Sequence, residues 1–128
     1  MIVLKASSSL SAEEIEGLLI DEEAVAIRPD CVQSDEELML ALHLASDAFE
    51  KKRNIAKKLK YEFLLWLSGK TDIRRALKAT GAESGKDFLL VFLKGGMDLN
   101  KLKMREKPLN MKKKAEPLAL ERISLGRI

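Results

Sequence analysis

The stretch Phe88-Leu89-Leu90-Val91-Phe92-Leu93 decides the fold class of this chain. It is a continuous apolar run bounded by charged residues and followed by Gly95-Gly96, a pattern typical of a strand covered on both faces at the centre of a sheet. Two further strands are predicted at residues 1–5 and 24–28, the second of which ends at Pro29-Asp30. A sheet whose central strand is covered on both faces requires helices to pack against it.

Helical signals lie between and after the strands. Ser11 with Glu14, and Ser34 with Glu37, form capping boxes in which the serine caps the backbone and the glutamate reaches back to it. Gly69 stands where a helix C-terminal cap belongs. The predicted helices run from Ser11 to near Asp21, from Ser34 to Arg53-Asn54, over residues 59–67, from Thr71 or Asp72 to Gly81, and weakly over residues 97–105. A basic loop is predicted at residues 107–114, and Pro117 is expected to open a last short element that runs through Leu120 and Ile123.

These elements predict an α/β (α+β) fold in which a small mixed β-sheet is flanked by helices and residues 1–128 form a single domain. No apolar run reaches the ~18 residues of a membrane-spanning helix, and the N-terminus lacks the pattern of a secretory signal. The one cysteine, Cys31, cannot form an intrachain disulfide. We therefore expect a soluble, cytoplasmic protein with no membrane partner.

The helix that begins after Ser34 has more apolar surface than one buried face requires. Its apolar residues form one continuous stripe and a second row rotated away from it. A helix that is apolar on more than one side is either buried on both sides or contacts a partner. Leu40 and Leu44 are the candidates for such a contact. The stripe consists of Leu38, Leu42, Ala45 and Phe49, and the second row of Leu40 and Leu44.

Catalytic and metal-binding signals are weak. The chain has one cysteine and one histidine, Cys31 and His43, whereas a nitrogen and sulfur metal site needs several such ligands, and no third residue supports a nucleophilic pair. Ser68-Gly69-Lys70-Thr71 resembles the end of a phosphate-binding P-loop, but Leu64 occupies the position of the loop's first glycine. We expect no metal, no cofactor and no enzymatic activity.

Charge is distributed unevenly along the chain. The net charge of +3 combines 2 basic and 12 acidic residues in the first 50, giving −10, with 21 basic and 8 acidic residues in the remainder, giving +13. A basic segment of this kind favours a polyanionic partner. Alternatively, folding brings the two parts together and pairs their charges across the surface.

The basic residues are concentrated in two sets. Residues 51–60 contain six cations and no acid, and residues 70–78 contain four cations on the outer face of a predicted helix. Grouped cations neutralise phosphates and release counterions, so they indicate a nucleic-acid backbone as the partner. The first set is Lys51, Lys52, Arg53, Lys57, Lys58 and Lys60, and the second is Lys70, Arg74, Arg75 and Lys78.

A family resemblance covers residues 38–93. The motifs that carry it are Leu38, Ala41 and Ala45; Glu62-Phe63-Leu64-Leu65-x-Leu67-Ser68-Gly69; Asp72-Ile73-x-x-Ala76-Leu77; Gly81; and the strand Phe88–Leu93. In this order they resemble the kinase-binding accessory subunit of the KEOPS complex, the family named TPRKB in animals, in its short archaeal form.

The resemblance implies a non-catalytic subunit with two partners. One is the small atypical kinase/ATPase subunit, for which Leu40 and Leu44 are candidate contacts. The other is tRNA, recruited through its unpaired 3′ CCA end, in an assembly that makes threonylcarbamoyladenosine next to the anticodon. The candidate tRNA-binding residues are Lys51, Lys52, Arg53, Lys57, Lys58, Lys70, Arg74 and Arg75. No small-molecule substrate is expected.

One position departs from the family pattern. After Ser68-Gly69 the family often has a threonine and then an arginine, where this chain has Lys70-Thr71. If the arginine contacts RNA, Lys70 replaces it without the bidentate geometry of a guanidinium group. The alternative function is a stand-alone basic nucleic-acid-binding module, which would need no surplus apolar surface on the helix at residues 35–52.

Overall fold

A computed structural model describes residues 1–96, 99, 101–109, 111 and 113–125. The chain divides into two compact units, each built from segments distant in sequence: residues 1–30 with 81–110, and residues 31–80 with 111–128. The strands and helices are β1 (Ile2–Ser7), α1 (Ala12–Leu19), β2 (Ala24–Ile27), α2 (Asp35–Glu50), α3 (Leu59–Ser68), α4 (Ile73–Thr80), β3 (Phe88–Phe92), β4 (Arg105–Lys107) and α5 (Pro117–Leu125), with a 3-10 turn at Pro29–Cys31.

The first unit contains a four-stranded sheet with the order β2-β3-β1-β4. Strand β3 lies between β2 and β1, and all five of its residues are buried, as its unbroken apolar sequence predicts. One face of the sheet packs against α1, where Phe88, Leu90 and Phe92 of β3 meet Ile15 and Leu19. The predicted α+β fold class is confirmed.

The pairings within the described sheet are all antiparallel, so the sheet is not mixed. Strands β1 and β2 are separated by β3, which runs antiparallel to both. Within the described sheet, two parallel strands therefore never lie side by side. Residues 81 and 82 lie along the outer edge of β2, where the Ala82 backbone N–H donates to the Ala26 carbonyl at 3.3 Å.

Strand β4 was not predicted from the sequence, and the weak helix expected over residues 97–105 is wrong for the described residues. Leu99 and residues 101–103 form turns, with the N–H groups of Leu102 and Met104 donating to the Leu99 carbonyl at 3.1 and 3.0 Å. Leu102 and Met104 are buried in the core of the first unit. Between them, the left-handed backbone of Lys103, with a φ of 57°, is incompatible with a continuous helix. Residues 97, 98 and 100 lie outside the described residues.

The predicted basic loop at residues 107–114 begins one residue too early, because Lys107 is the last residue of β4. The described remainder of this segment has no helix or strand, and residues 110 and 112 lie outside the described residues. The assignment of residues 1–128 to one domain stays a prediction.

The second unit is helical. Helix α3 packs on α2 and α4, and α5 packs on α2 and α3. On α2 the buried side chains are mainly alanines, which let a neighbouring helix approach closely: Ala41, Ala45 and Ala48 lie on one face with Leu38. Leu42 and Phe49 of the predicted stripe are half-buried at its margin. The stripe is thus rotated slightly from its predicted position.

The ends of the helices follow the sequence signals closely. Ser11 and Ser34 accept from the N–H groups of Glu14 and Glu37 at 3.2 and 3.3 Å, as serine and glutamate three residues apart predict. The capping box at Ser11 is complete, since Glu14 Oε1 accepts from the Ser11 N–H at 3.2 Å. The glutamate half of the box predicted at Ser34 is wrong, because Glu37 Oε2 accepts from the Gln33 N–H and the Ser34 hydroxyl instead. Gly69 ends α3 with a φ of 71°, a left-handed conformation that suits glycine. Helix α2 ends at Glu50, before the predicted boundary at Arg53-Asn54.

Candidate interaction surface

The eight candidate tRNA-binding residues are all exposed, and they lie at the two ends of α3. Lys51, Lys52, Arg53, Lys57 and Lys58 belong to the connection that enters α3, and we call them the entry group. Lys70, Arg74 and Arg75 follow the C-terminus of α3, and we call them the exit group. Helix α3 has 10 residues, so about 15 Å of helix separates the two groups. The described structure therefore presents two basic groups at opposite ends of one helix.

The backbone of the entry group is fixed by a helix-ending motif. The N–H groups of Lys52 and Arg53 donate to the carbonyls of Phe49 and Ala48 at 3.2 and 2.7 Å. This pattern closes α2 and places Lys52 in the left-handed region, with a φ of 56°. The three consecutive cations at residues 51–53 are consequently presented on a tight turn.

A buried carboxylate holds the rest of the connection. Glu62 of α3 is fully buried, and its Oε1 accepts from the N–H groups of Ile55 and Ala56 at 2.8 and 2.9 Å. These contacts hold the connection against α3 just before Lys57 and Lys58. In the sequence, Glu62 interrupts an apolar run, and this polar interruption was the signal that could have identified a structural acid there.

Side-chain hydrogen bonds at the end of α3 and at the start of α4 fix the backbone of the exit group. Ser68 Oγ accepts from the Lys70 N–H at 3.3 Å, just after the Gly69 cap. Asp72 Oδ1 accepts from the Arg74 N–H at 3.1 Å, as an N-cap side chain does. Arg74 and Arg75 therefore occupy the first turn of α4, with exposed side chains.

Among the described residues, Lys51, Arg53 and Arg75 have carboxylate partners within 4.0 Å. Lys51 Nζ and Arg53 Nη2 both contact Asp47, at 3.2 and 3.3 Å, and Arg75 Nε lies 4.0 Å from Asp72. Exposed pairs of this kind contribute at most about 1 kcal/mol, so a phosphate can replace the carboxylate at little cost. Lys52, Lys57, Lys70 and Arg74 are in none of the ion pairs of the described residues.

Lys60 does not belong to this surface. The sequence count placed it with the cations of residues 51–60, but its side chain is only 2% exposed, with Nζ 5.3 Å from the centroid of the Tyr61 ring. Lys60 is buried because it is the second residue of α3, a helix that is buried on nearly all sides.

The candidate kinase contacts, Leu40 and Leu44, are half-buried on α2. They lie three and seven residues after Glu37, so they share its face of the helix. This face meets α5 through the Glu37–Arg122 ion pair. The neighbouring Met39 is 61% exposed and was not singled out from the sequence. Helix α5 adds two more exposed apolar side chains, Leu118 and Leu125.

Cys31 and His43 have no common site in the described structure. The Cys31 thiol contacts carbonyls at the end of α4, Ala79 O at 3.3 Å and Thr80 O at 3.9 Å, and His43 is exposed midway along α2. The described residues contain no group of three or more histidine, cysteine or acidic side chains arranged to hold a metal ion. Within those same residues, each helix is too short or too polar to cross a membrane.

Taken together, the antiparallel sheet and the helical unit define a small α+β protein with exposed basic side chains at both ends of α3. The model of the family "Kinase binding protein CGI-121" matches residues 6–125, and the chain belongs to this family. A curated protein of Pyrococcus abyssi (strain GE5 / Orsay), named KEOPS complex subunit Cgi121, is 38% identical to this chain over 82 residues. The match covers 58% of this chain and 47% of the relative, about half of its length.

Proposed function

We propose that this chain is a non-catalytic accessory subunit of the KEOPS complex. In this role it binds the small kinase/ATPase subunit and recruits tRNA through the 3′ CCA end for threonylcarbamoyladenosine formation in the cytoplasm. The observation that carries the proposal is the family match over residues 6–125, together with the name of the archaeal relative. The exposed entry and exit groups support the tRNA part, and the apolar surface of α2 supports the kinase part.

The kinase part is tested by a pull-down between the purified chain and the KEOPS kinase subunit of the same source. Leu40→Arg and Leu44→Arg are expected to weaken the complex at least about tenfold, because a charge buried at an interface loses its hydration. Met39→Arg places the same group on the exposed side of α2, where it disturbs the fold less, and it should weaken binding as well. Glu16→Arg, on the exposed side of α1, is the control and should leave binding intact. Failure of the unmodified chain to bind would overturn the kinase part.

The tRNA part is tested by charge reversal at one residue of each basic group. Lys57→Glu with Arg74→Glu should weaken tRNA binding at least about tenfold, since phosphate contacts are lost and repulsion is added. The same variant should bind the kinase normally. A tRNA that lacks its 3′ CCA should bind more weakly than the complete molecule. RNA binding without kinase binding would instead favour a stand-alone nucleic-acid-binding module.

A further inference from the structure

We propose that the first unit carries a second RNA-binding surface, at the β4 edge of the sheet, that contacts the sugar-phosphate backbone. We call it the sheet-edge patch; it consists of Lys5, Ser7, Lys103, Arg105 and Lys107. This inference rests on the tRNA part of the proposed function and adds a site outside the entry and exit groups. Its basis is strand register and uncompensated charge.

The register places four of these side chains, those of Lys5, Ser7, Arg105 and Lys107, together on one face of the sheet. In the antiparallel pair of β1 and β4, Lys5 is opposite Lys107 and Ser7 is opposite Arg105. Directly opposite residues have Cβ atoms about 5 Å apart and point to the same side of the sheet. Because side chains alternate along a strand, Lys5, Ser7, Arg105 and Lys107 form a two-by-two grid. The residues between them, Ala6 and Glu106, point to the other face.

No carboxylate of the described residues forms an ion pair with a cation of the grid. The ion pairs within the described residues involve other cations, and none includes Lys5, Lys103, Arg105 or Lys107. Like charges directly opposite one another in a sheet are destabilising, so the facing Lys5 and Lys107 represent a cost in the free chain. An anion bound between them would remove this cost. By contrast, Asp47 and Asp72 partly compensate the entry and exit groups.

Lys103 extends the patch from a rigid turn. Its carbonyl accepts from Ser8 Oγ at 2.9 Å, and its backbone is left-handed, with a φ of 57°. On either side, Leu102 and Met104 are 2% and 3% exposed in the core of the first unit. The exposed Lys103 side chain is therefore presented from fixed backbone two residues before Arg105. A surface held in place loses little conformational entropy when a ligand binds.

The composition of the patch favours RNA over an acidic protein. Its five side chains are polar, whereas the core of a protein interface is rich in aromatic and other apolar groups. Arg105 and Lys107 stand about 6.7 Å apart along the strand, a spacing comparable to that of successive phosphates. A phosphodiester chain needs repeated cations and hydroxyl donors, and it requires no apolar contact.

The test compares two double variants of the full chain. Arg105→Gln with Lys107→Gln removes two charges from the patch, and Lys86→Gln with Lys94→Gln removes two exposed charges elsewhere in the same unit. Lys86 is already paired with Glu83 at 2.9 Å. With a transcribed tRNA bearing its 3′ CCA, the patch variant should bind about tenfold more weakly, with a salt slope smaller by about 1 to 2. The control should stay within about twofold, and both should bind the kinase normally.

A measurement on the unmodified chain removes any dependence on folding of the variants. Acetylation of lysines, followed by mass spectrometry, should show Lys5, Lys103 and Lys107 protected by tRNA, with Lys86 and Lys94 still reactive. Equal affinity of the patch and control variants without such protection would overturn the patch, even if the Lys57 and Arg74 reversal weakens tRNA binding as proposed. Protection by polyglutamate but not by tRNA would assign the patch to an acidic protein. Failure of the unmodified chain to bind tRNA would overturn both the patch and the tRNA part of the proposed function.

Discussion

Lys52 has a backbone conformation that costs free energy for any residue with a Cβ atom. Its φ of 56° lies in the left-handed region, at the position where helices usually end with glycine. The comparable position after α3 is occupied by Gly69, with a φ of 71°. The chain therefore uses a glycine at one end of the candidate surface and retains a lysine at the other.

Replacing Lys52 with glycine should make the protein more stable. Lys52→Gly is expected to raise the free energy of unfolding by about 1 kcal/mol, because the left-handed conformation no longer meets a Cβ atom. Urea denaturation measures the effect. Lys52→Ala removes the same charge but keeps the Cβ atom, so its free energy of unfolding should rise much less. Equal stability of the two variants would show that backbone strain at this residue is not the cause.

Glu62 should be essential for the structure of the entry group. Glu62→Ala leaves the N–H groups of Ile55 and Ala56 without their carboxylate acceptor, which should cost about 2–4 kcal/mol of stability. Glu62→Gln keeps a carbonyl oxygen and should cost less. Hydrogen exchange at the Ile55 and Ala56 amides, together with urea denaturation, measures both effects. Unchanged exchange in the alanine variant would contradict the role assigned to this carboxylate.

Among the helices, α5 depends on polar contacts at the start of α2. Glu37 is 2% exposed, and its Oε2 accepts from the Gln33 N–H and the Ser34 hydroxyl at 2.9 and 2.8 Å. Its Oε1 lies 3.4 Å from Arg122 of α5. The neighbouring Glu36 accepts from the Ala115 N–H at 2.9 Å. Burial of Ile123 completes the attachment.

Loss of the Arg122 guanidinium should loosen α5 selectively. Arg122→Ala leaves the Glu37 carboxylate without its cation, and we expect a cost of about 1 kcal/mol because Arg122 is itself largely exposed. Amides of α5 should exchange faster while those of α3 remain protected. Glu121→Ala, one residue earlier on the exposed side of α5, serves as the control. Equally fast exchange in both variants would mean that the ion pair does not hold the helix.

For the whole molecule, folding redistributes the charge that the sequence divides so sharply. The N-terminal 50 residues carry −10 and the remainder +13. The first compact unit contains 8 basic and 11 acidic residues, which gives a net charge of −3. The second contains 15 basic and 9 acidic residues, which gives a net charge of +6. The asymmetry is smaller because each unit combines segments from both parts of the chain. The positive charge that an anion can contact therefore depends on local groups of cations, such as the sheet-edge patch, more than on the net charge of a unit.

The two proposed partners should differ in their dependence on salt. Between about 50 and 200 mM salt, tRNA affinity should fall by at least tenfold, because binding releases counterions from the phosphates. Kinase binding through the apolar surface of α2 should change much less. Filter binding for the tRNA and calorimetry for the kinase, in the same buffers, measure the two slopes. A parallel fall in both affinities would contradict the separation of the two surfaces.

The sequence predicted the local elements well and the candidate site only in part. The capping serines, the Gly69 cap and the apolar run of β3 act through residues within a few positions of one another, so their patterns were sufficient. Helix α3 was predicted, but burial of Lys60 and Glu62 inside it depends on how the surrounding helices pack. The separation of the entry and exit groups likewise follows from the length and orientation of a packed helix.

By itself, the sequence determined the central strand, the helix ends and the abundance of basic side chains, since each depends on side-chain type and short spacing. Only the tertiary structure decided that β4 pairs with β1 and that Lys5 stands opposite Lys107. Register between strands about a hundred residues apart is set by the burial of Leu102 and Met104 in the core, and no short sequence pattern contains that information.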